Sequence, residues 1–283
     1  MRFFDATKLT PSTIIITDLT GVHCFLVRGT RRALLIDCGA GVGDLAGFAR
    51  QQTTLPISLL LTHGHCDHAG GAAFFDTAYL SEADWNLASR HDTLSMKKDY
   101  ARYTCSELFS SLTQEDFCPP RHRGYLPLND GTRFDLGGIS LEAIAVPGHT
   151  QGMTCVLNQT ERSILFGDAC NPCVFLWDAD ASSVEAYWHS LQHLRERESE
   201  YDTVYLSHGA RCAPKSILDE VLLVCEEILQ GKDDKEAFSF MEHRDLLMAK
   251  STLAGRRADG KLGNIVYNPA RIRNADIAGE LKR

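Results

Sequence analysis

LLLTHGHCDHAGG, from Leu59 to Gly71, places three histidines and an aspartate within six positions, directly after an apolar run. Imidazole nitrogens and carboxylate oxygens are the donors that zinc and similar divalent ions accept. On a strand, His63, His65, Asp67 and His68 would split between two faces. On a loop leaving the strand they can converge, and the Ala69-Gly70-Gly71 that follows permits a tight turn into a helix. His63 and His65 can then serve one ion while Asp67 and His68 serve a neighbour. Burying so many ionisable groups without a metal would be costly.

Working outward, three later segments repeat the context. VPGHTQG sets His149 just after a strand ending at Val146, ILFGDAC sets Asp168 at the end of another, and VYLSHGA sets His208 after a third ending at Leu206. Singly, each is more often a structural residue. Together they make four strand–loop–ligand units, and ligands gathered at the same ends of several strands are how an α/β or β-sandwich scaffold builds a site.

The intervening chain supplies the scaffold. Apolar runs at Ile14 to Ile16, His23 to Val27, Ala33 to Asp37 and Ile57 to Thr62 read as strands, with a Gly-rich turn and a helix from Asp44 between the last two. Residues 81–118 have helical composition and read as an insertion that could cover the site, opening at Ser81. Strands resume at Thr132 to Asp135, Ser140 to Val146, Met153 to Leu157, Ser163 to Phe166 and Thr203 to Leu206. Ser182 to Arg197 and Pro214 to Leu229 read as amphipathic helices, the second ended by Gly231. The remainder, to Arg283, is less periodic and reads as an extended appendage.

The complete H-x-H-x-D-H signature, followed in order by His149, Asp168 and His208, resembles the metallo-β-lactamase superfamily over roughly residues 14–214. The resemblance implies an α/β (α+β) fold, an αββα sandwich with the site at one edge of two facing sheets. It implies a catalytic domain over residues 1–230, carrying the helical insertion, and a C-terminal appendage over 231–283. It implies that His63, His65 and His149 hold a first ion, that Asp67, His68 and His208 hold a second, and that Asp168 bridges them. Asp37, in IDCGAG, matches the family's supporting carboxylate beside a metal-bound histidine. Asp rather than Cys at position 168 resembles the thioesterase, lactonase and phosphodiesterase branches, and PGHTQG looks most like hydroxyacylglutathione hydrolase. Ala169, Cys170 and Asn171 stand where acyl-homoserine-lactone lactonases typically carry a Tyr.

The reaction expected of such a site is attack by a metal-bridging hydroxide on an ester, thioester or lactone, with Asp168 and Asp67 as the catalytic carboxylates and two divalent ions as cofactors: zinc, with iron or manganese as alternatives. Two other readings stay open. One is an iron-dependent, persulfide dioxygenase-like enzyme using His63, His149 and Asp168. The other is a phosphodiester or phosphocholine esterase with an aromatic pocket for a cation.

Composition narrows the partners. A net charge of −8 argues against nucleic acid, and no run approaches the roughly 20 apolar residues of a membrane span. Ten scattered cysteines, with no leader-like N-terminus, suggest a reducing cytoplasm. From Arg244 onward nine Lys/Arg face four Asp/Glu, so Arg256, Arg257 or Lys261 could hold an anionic group of a small-molecule substrate. Cys170 and Cys173 form a C-x-x-C read mainly as small packed residues, as is Cys66. Trp85, Trp177, Trp188 and Phe175 could line a pocket, with core packing as the default. His91 and His122 read as solvated, with proton donation as the alternative, and His189 and His193 as a helix face.

Overall fold

The computed structural model describes residues 1–240 and 243–275. Its first sheet follows chain order: β1 (Phe4–Lys8), β2 (Thr13–Asp18), β3 (His23–Arg28), β4 (Ala33–Ile36), β5 (Ile57–Leu60), β6 (Ala78–Leu80) and β7 (Leu126–Pro127). A second sheet takes β8 (Arg133–Asp135), β9 (Ser140–Ala145), β10 (Thr154–Asn158), β11 (Ser163–Leu165), β13 (Thr203–Tyr205) and β14 (Cys212–Ala213), with β13 between β11 and β14.

The layers follow from the two-residue period of a strand. Ile15, Phe25, Val27, Leu34 and Leu60 of the first sheet meet Leu141, Ala143, Val156, Leu165 and Tyr205 of the second in one buried cluster. Their sequence neighbours point the other way. Ile16, Leu26, Leu35 and Leu59 pack with Leu45, Ala46 and Ala49 of α1 (Leu45–Gln52). Ile144, Leu157, Ile164 and Val204 pack with α6 (Val184–Glu196) and α7 (Ile217–Leu229). Strands buried on both faces need apolar residues at consecutive positions, as these have, and the result is the expected αββα sandwich.

The insertion is three helices: α3 (Trp85–His91), α4 (Leu94–Thr104) and α5 (Ser106–Phe109), which follow the short α2 (Cys66–Ala69). Ser81 precedes a single 3₁₀ turn and its side chain caps nothing, so the α-helical start falls later than the sequence suggests. The break before α4 has a cap of its own, the Thr93 hydroxyl accepting from the Met96 amide. Lys97, fully buried, ties the insertion down by donating to the Cys118 carbonyl at 2.8 Å and pairing with Asp92 at 2.6 Å.

The stretch after residue 231 builds a third sheet. β15 (Glu236–Phe240), β16 (His243–Met248) and β19 (Ile265–Tyr267) join β12 (Val174–Leu176) in the order β12-β19-β16-β15, and β17 (Thr252–Leu253) pairs with β18 (Arg256–Arg257). β19 lies parallel to β12, and Ala249, Ile265 and Tyr267 share the cluster of α6 and α7. Met241, Glu242 and residues 276–283 of the expected appendage lie outside the described residues. Among the described residues, no helix is long and apolar enough to cross a membrane.

Candidate metal centre

Each candidate ligand leaves the C-terminal end of a strand on the same edge of the sandwich: His63, His65, Asp67 and His68 after β5, His149 after β9, Asp168 after β11, His208 after β13. Gly70, which closes α2, lies so near the loop before α1 that a Cβ there would fall 2.4 Å from the Cys66 carbonyl oxygen and 2.5 Å from the Ala40 carbonyl carbon. That close approach seats α2 and the loop before it, which carry four of the candidate ligands.

The structure brings all seven predicted residues together. His63 Nε2 lies 3.1 Å from His65 Nδ1, which lies 2.9 Å from His149 Nε2. His68 Nε2 lies 3.1 Å from His208 Nε2, and Asp67 Oδ2 lies 3.6 and 3.5 Å from those two nitrogens. Asp168 Oδ2 stands between the groups, at 3.4 Å from His68 and His208 and 3.6 Å from His149. A tetrahedron with metal–ligand bonds of about 2.0–2.1 Å has edges of about 3.3–3.4 Å. The observed separations fit that figure for a histidine trio on one side and an Asp67–His68–His208 trio on the other, so the donor set could hold divalent metal.

The remaining ring nitrogens are held from behind, as ligand histidines require. His63 Nδ1 meets the Thr62 hydroxyl at 3.0 Å, and that hydroxyl reaches Asp37. Asp37, buried and at φ 61°, also accepts from His68 Nδ1 at 2.8 Å and from the Thr62 amide at 2.7 Å. His149 Nδ1 donates to the Phe175 carbonyl at 2.8 Å. His65 presents Nδ1 inward because its Nε2 faces Asp178, 3.7 Å away.

Four supporting residues escape the sequence reading. Asp84 accepts from the Gly64 amide (3.0 Å), the Thr150 hydroxyl (2.7 Å) and the Gly152 amide (2.7 Å), so one buried carboxylate links the His63–His65 loop to the His149 loop. Asp178 faces His65, and the Tyr100 hydroxyl of α4, pushed up by burial and then by Asp67, stands near Asp67. His91, expected in solvent, instead stacks on His65 with ring centroids 5.0 Å apart, because α3 packs directly over the ligand loop.

Electrostatics follow from burial and crowding. Burial, with the neighbouring His68, His65 and His149, holds His63 well below the usual histidine range, and burial lowers His149. For His68, burial is outweighed by Asp67, Asp37 and Asp168, which raise it well above that range. Burial likewise opposes ionisation of Asp168, but His208 and His68 hold it well below the usual carboxylate range. His91 is pushed down to about 4, by burial and then by His65.

Other singled-out residues stand apart. His189 and His193 are exposed on α6, and His122 is exposed. Cys66 and Cys170 are buried free thiols raised well above their usual range by burial, and burial pushes Cys173 up to about 11. Trp188 packs beside α7, and Trp85 donates to the Leu80 carbonyl. The basic tail does not supply the expected anion clamp at Arg257. That side chain is buried, paired with Asp259 and bonded to the Gly263 carbonyl, on a segment that packs against α7.

A family model described as the metallo-beta-lactamase superfamily matches residues 17–208. Among curated proteins, the chain is 30% identical over 185 residues to an acyl-coenzyme A thioesterase, MBLAC2, of Gallus gallus, covering 62% of this chain and 66% of that protein. It is 26% identical over 197 residues to an atrochrysone carboxyl ACP thioesterase of Aspergillus fumigatus, covering 68% of this chain and 38% of that one. The chain thus spans less than two thirds of the length of these relatives. Among solved structures, a metallo-beta-lactamase from Pontibacter korlensis superposes with TM-score 0.59 at 20% identity, covering 79% of this chain and 99% of that one. The sec-alkylsulfatase Pisa1 from Pseudomonas sp. does so with TM-score 0.61 at 11% identity, covering 81% and 42%. These two likenesses concern the fold alone.

Proposed function

The chain belongs to the metallo-beta-lactamase superfamily, and from that premise we propose that it is a dinuclear metal-dependent hydrolase of acyl thioesters. The observation that carries the proposal is the pair of ligand trios sharing Asp168, each with its donor atoms within 4.8 Å of one another. A complete second trio, Asp67, His68 and His208, favours two ions over the single iron of a dioxygenase. The relatives named above act on acyl-coenzyme A and on an acyl carrier protein, not on a glutathione thioester, so the substrate class assigned here is an acyl thioester rather than that of the hydroxyacylglutathione branch. Zinc is the proposed native metal, and ten free cysteines support a reducing compartment such as the cytoplasm.

When bound, two divalent ions supply Lewis acidity toward the substrate carbonyl and acidify the water that attacks it. The chain's own residues do the rest. Asn171 Nδ2 approaches Asp168 Oδ1 at 3.4 Å, which leaves Oδ2 turned toward His68, His149 and His208 as the oxygen that both trios would share. Asp37, Thr62 and the Phe175 carbonyl keep three imidazoles in one tautomer and orientation. Burial and then His65 push His91 down to about 4, which disfavours it as a proton donor near neutral pH. A thioester needs none, because a leaving thiol of pKa about 8.5 departs as thiolate.

The test is a hydrolysis panel on the metal-loaded chain, with thioesters of a pantetheine thiol, lactones, phosphodiesters and β-lactams. Thioester kcat/KM at least a hundredfold above the other classes is expected. Preference for any other class, or oxygen consumption with a persulfide, would reject the reading.

A further inference from the structure

The third sheet has two unequal faces. Val174, Leu176, Ile265 and Tyr267 point into the core under α6 and α7 and are fully buried. On the opposite face Phe175, Trp177, Phe238 and Phe240 gather around Val266, Leu246 and Met248, yet all four rings stay partly open to solvent. Phe175 lies 5.1 Å from Phe240 and 6.2 Å from Phe238, Trp177 lies 6.1 Å from Phe240, and Tyr103 of α4, 58% exposed, meets Phe240 edge-on at 5.4 Å. A contiguous, half-open aromatic patch of this kind marks a surface that receives an apolar partner.

Its position names the partner. The carbonyl of Phe175 accepts the His149 ring N–H, and Asp178, the residue after Trp177, faces His65. The patch therefore begins at the backbone that orients two metal-facing histidines and runs outward between the third sheet and the insertion. The acyl part of a thioester whose carbonyl sits at the centre would run along it. Among the described residues, the titratable ring packed on the patch is the His243 imidazole, 4.2 Å from Trp177 at its outer margin.

We propose that Phe175, Trp177, Phe238, Phe240 and Tyr103 form an acyl-binding subsite that selects substrates with an extended apolar acyl group, aliphatic or aromatic. This rests on the thioester reading above and deepens it. Transfer of one methylene from water into such a surface is worth about fourfold in binding.

Two measurements on the metal-loaded full chain test it. In the first, thioesters of one pantetheine thiol carry straight acyl chains of increasing length or a fused aromatic acyl group. kcat/KM should rise about fourfold per methylene until the patch is covered, and Phe240→Ala and Tyr103→Ala should lower the long-to-short ratio at least tenfold. Tyr103 is exposed, so its variant keeps the test valid if the Phe240 variant misfolds. In the second, binding of non-hydrolysable thioether analogues of the same series is read by Trp177 fluorescence, which needs no turnover. Tightening with chain length that is lost in Tyr103→Ala supports the subsite even if thioesters are not hydrolysed, an outcome that would count against the function alone. The relative response of the aliphatic and aromatic arms identifies which acyl group is preferred. Affinity independent of acyl length, or an equal loss for short and long ligands in both variants, overturns the proposal.

Discussion

Asp84 shows how much a single side chain carries. Its two oxygens take three hydrogen bonds from loops that present His65 and His149. In Asp84→Asn one acceptor oxygen becomes a donor facing donors, and a buried group left unpaired costs about 1–3 kcal/mol. The expected outcome is a kcat lowered about 10- to 100-fold, the range for losing an outer support of a metal ligand, with a reduced melting temperature and metal still bound. Steady-state kinetics and thermal unfolding of the metal-loaded variant check it, and wild-type values for both would show that the loops hold without Asp84. His63, His65, Asp67 and His68 stood out in the sequence because histidines in such density after an apolar strand have few other uses, and His149, Asp168 and His208 because each repeats that strand–loop context. Asp84, Asp178, Tyr100 and His91 were not. Their partners lie tens of residues away along the chain, and in a polar helical segment a supporting aspartate or histidine looks like any solvated one.

Elements divide in the same way. The short apolar runs of β2 to β5, and of β9, β10, β11 and β13, were readable because strands buried on both faces carry apolar residues at consecutive positions. β1 was not, since only Phe4 of its five residues is buried and its place is fixed by pairing with β2. The third sheet was unreadable because β19 has three residues and its neighbour β12 lies some ninety positions earlier, so no local pattern announces the pair. At the opposite end of the sandwich, a turn residue clamps two elements. Glu161, between β10 and β11, accepts from the hydroxyls of Thr10 (2.5 Å), Ser12 (2.5 Å) and Thr13 (2.7 Å), all around the β1–β2 turn. Burial opposes its ionisation, but the Ser12, Thr10 and Thr13 hydroxyls outweigh it and hold the carboxyl below the usual range. A carboxyl lowered in the folded state stabilises above its unfolded pKa of about 4.3, and that stability is lost as pH falls through the folded value. Glu161→Gln should therefore cost about 1 kcal/mol at pH 7, and the gap to wild type should shrink toward pH 3. Urea unfolding midpoints at the two pH values measure it. An equal gap at both, or none at pH 7, would refute the clamp.

At the scale of the whole molecule, the sandwich gathers residues from position 63 to position 208 onto one edge, and the chain beyond the matched family segment adds Phe238 and Phe240 to the aromatic patch beside them. The Arg257 guanidinium is committed to Asp259 and the Gly263 carbonyl, so it does not serve as an anion clamp. Everything proposed about chemistry depends on the two trios each holding an ion with Asp168 shared between them. The direct measurement is elemental analysis of the full chain after saturation with zinc and removal of free metal, run beside Asp168→Ala. The account predicts two ions per wild-type chain and a loss of at least one in the variant. One ion or fewer per wild-type chain, unchanged when manganese or iron replaces zinc, would contradict it.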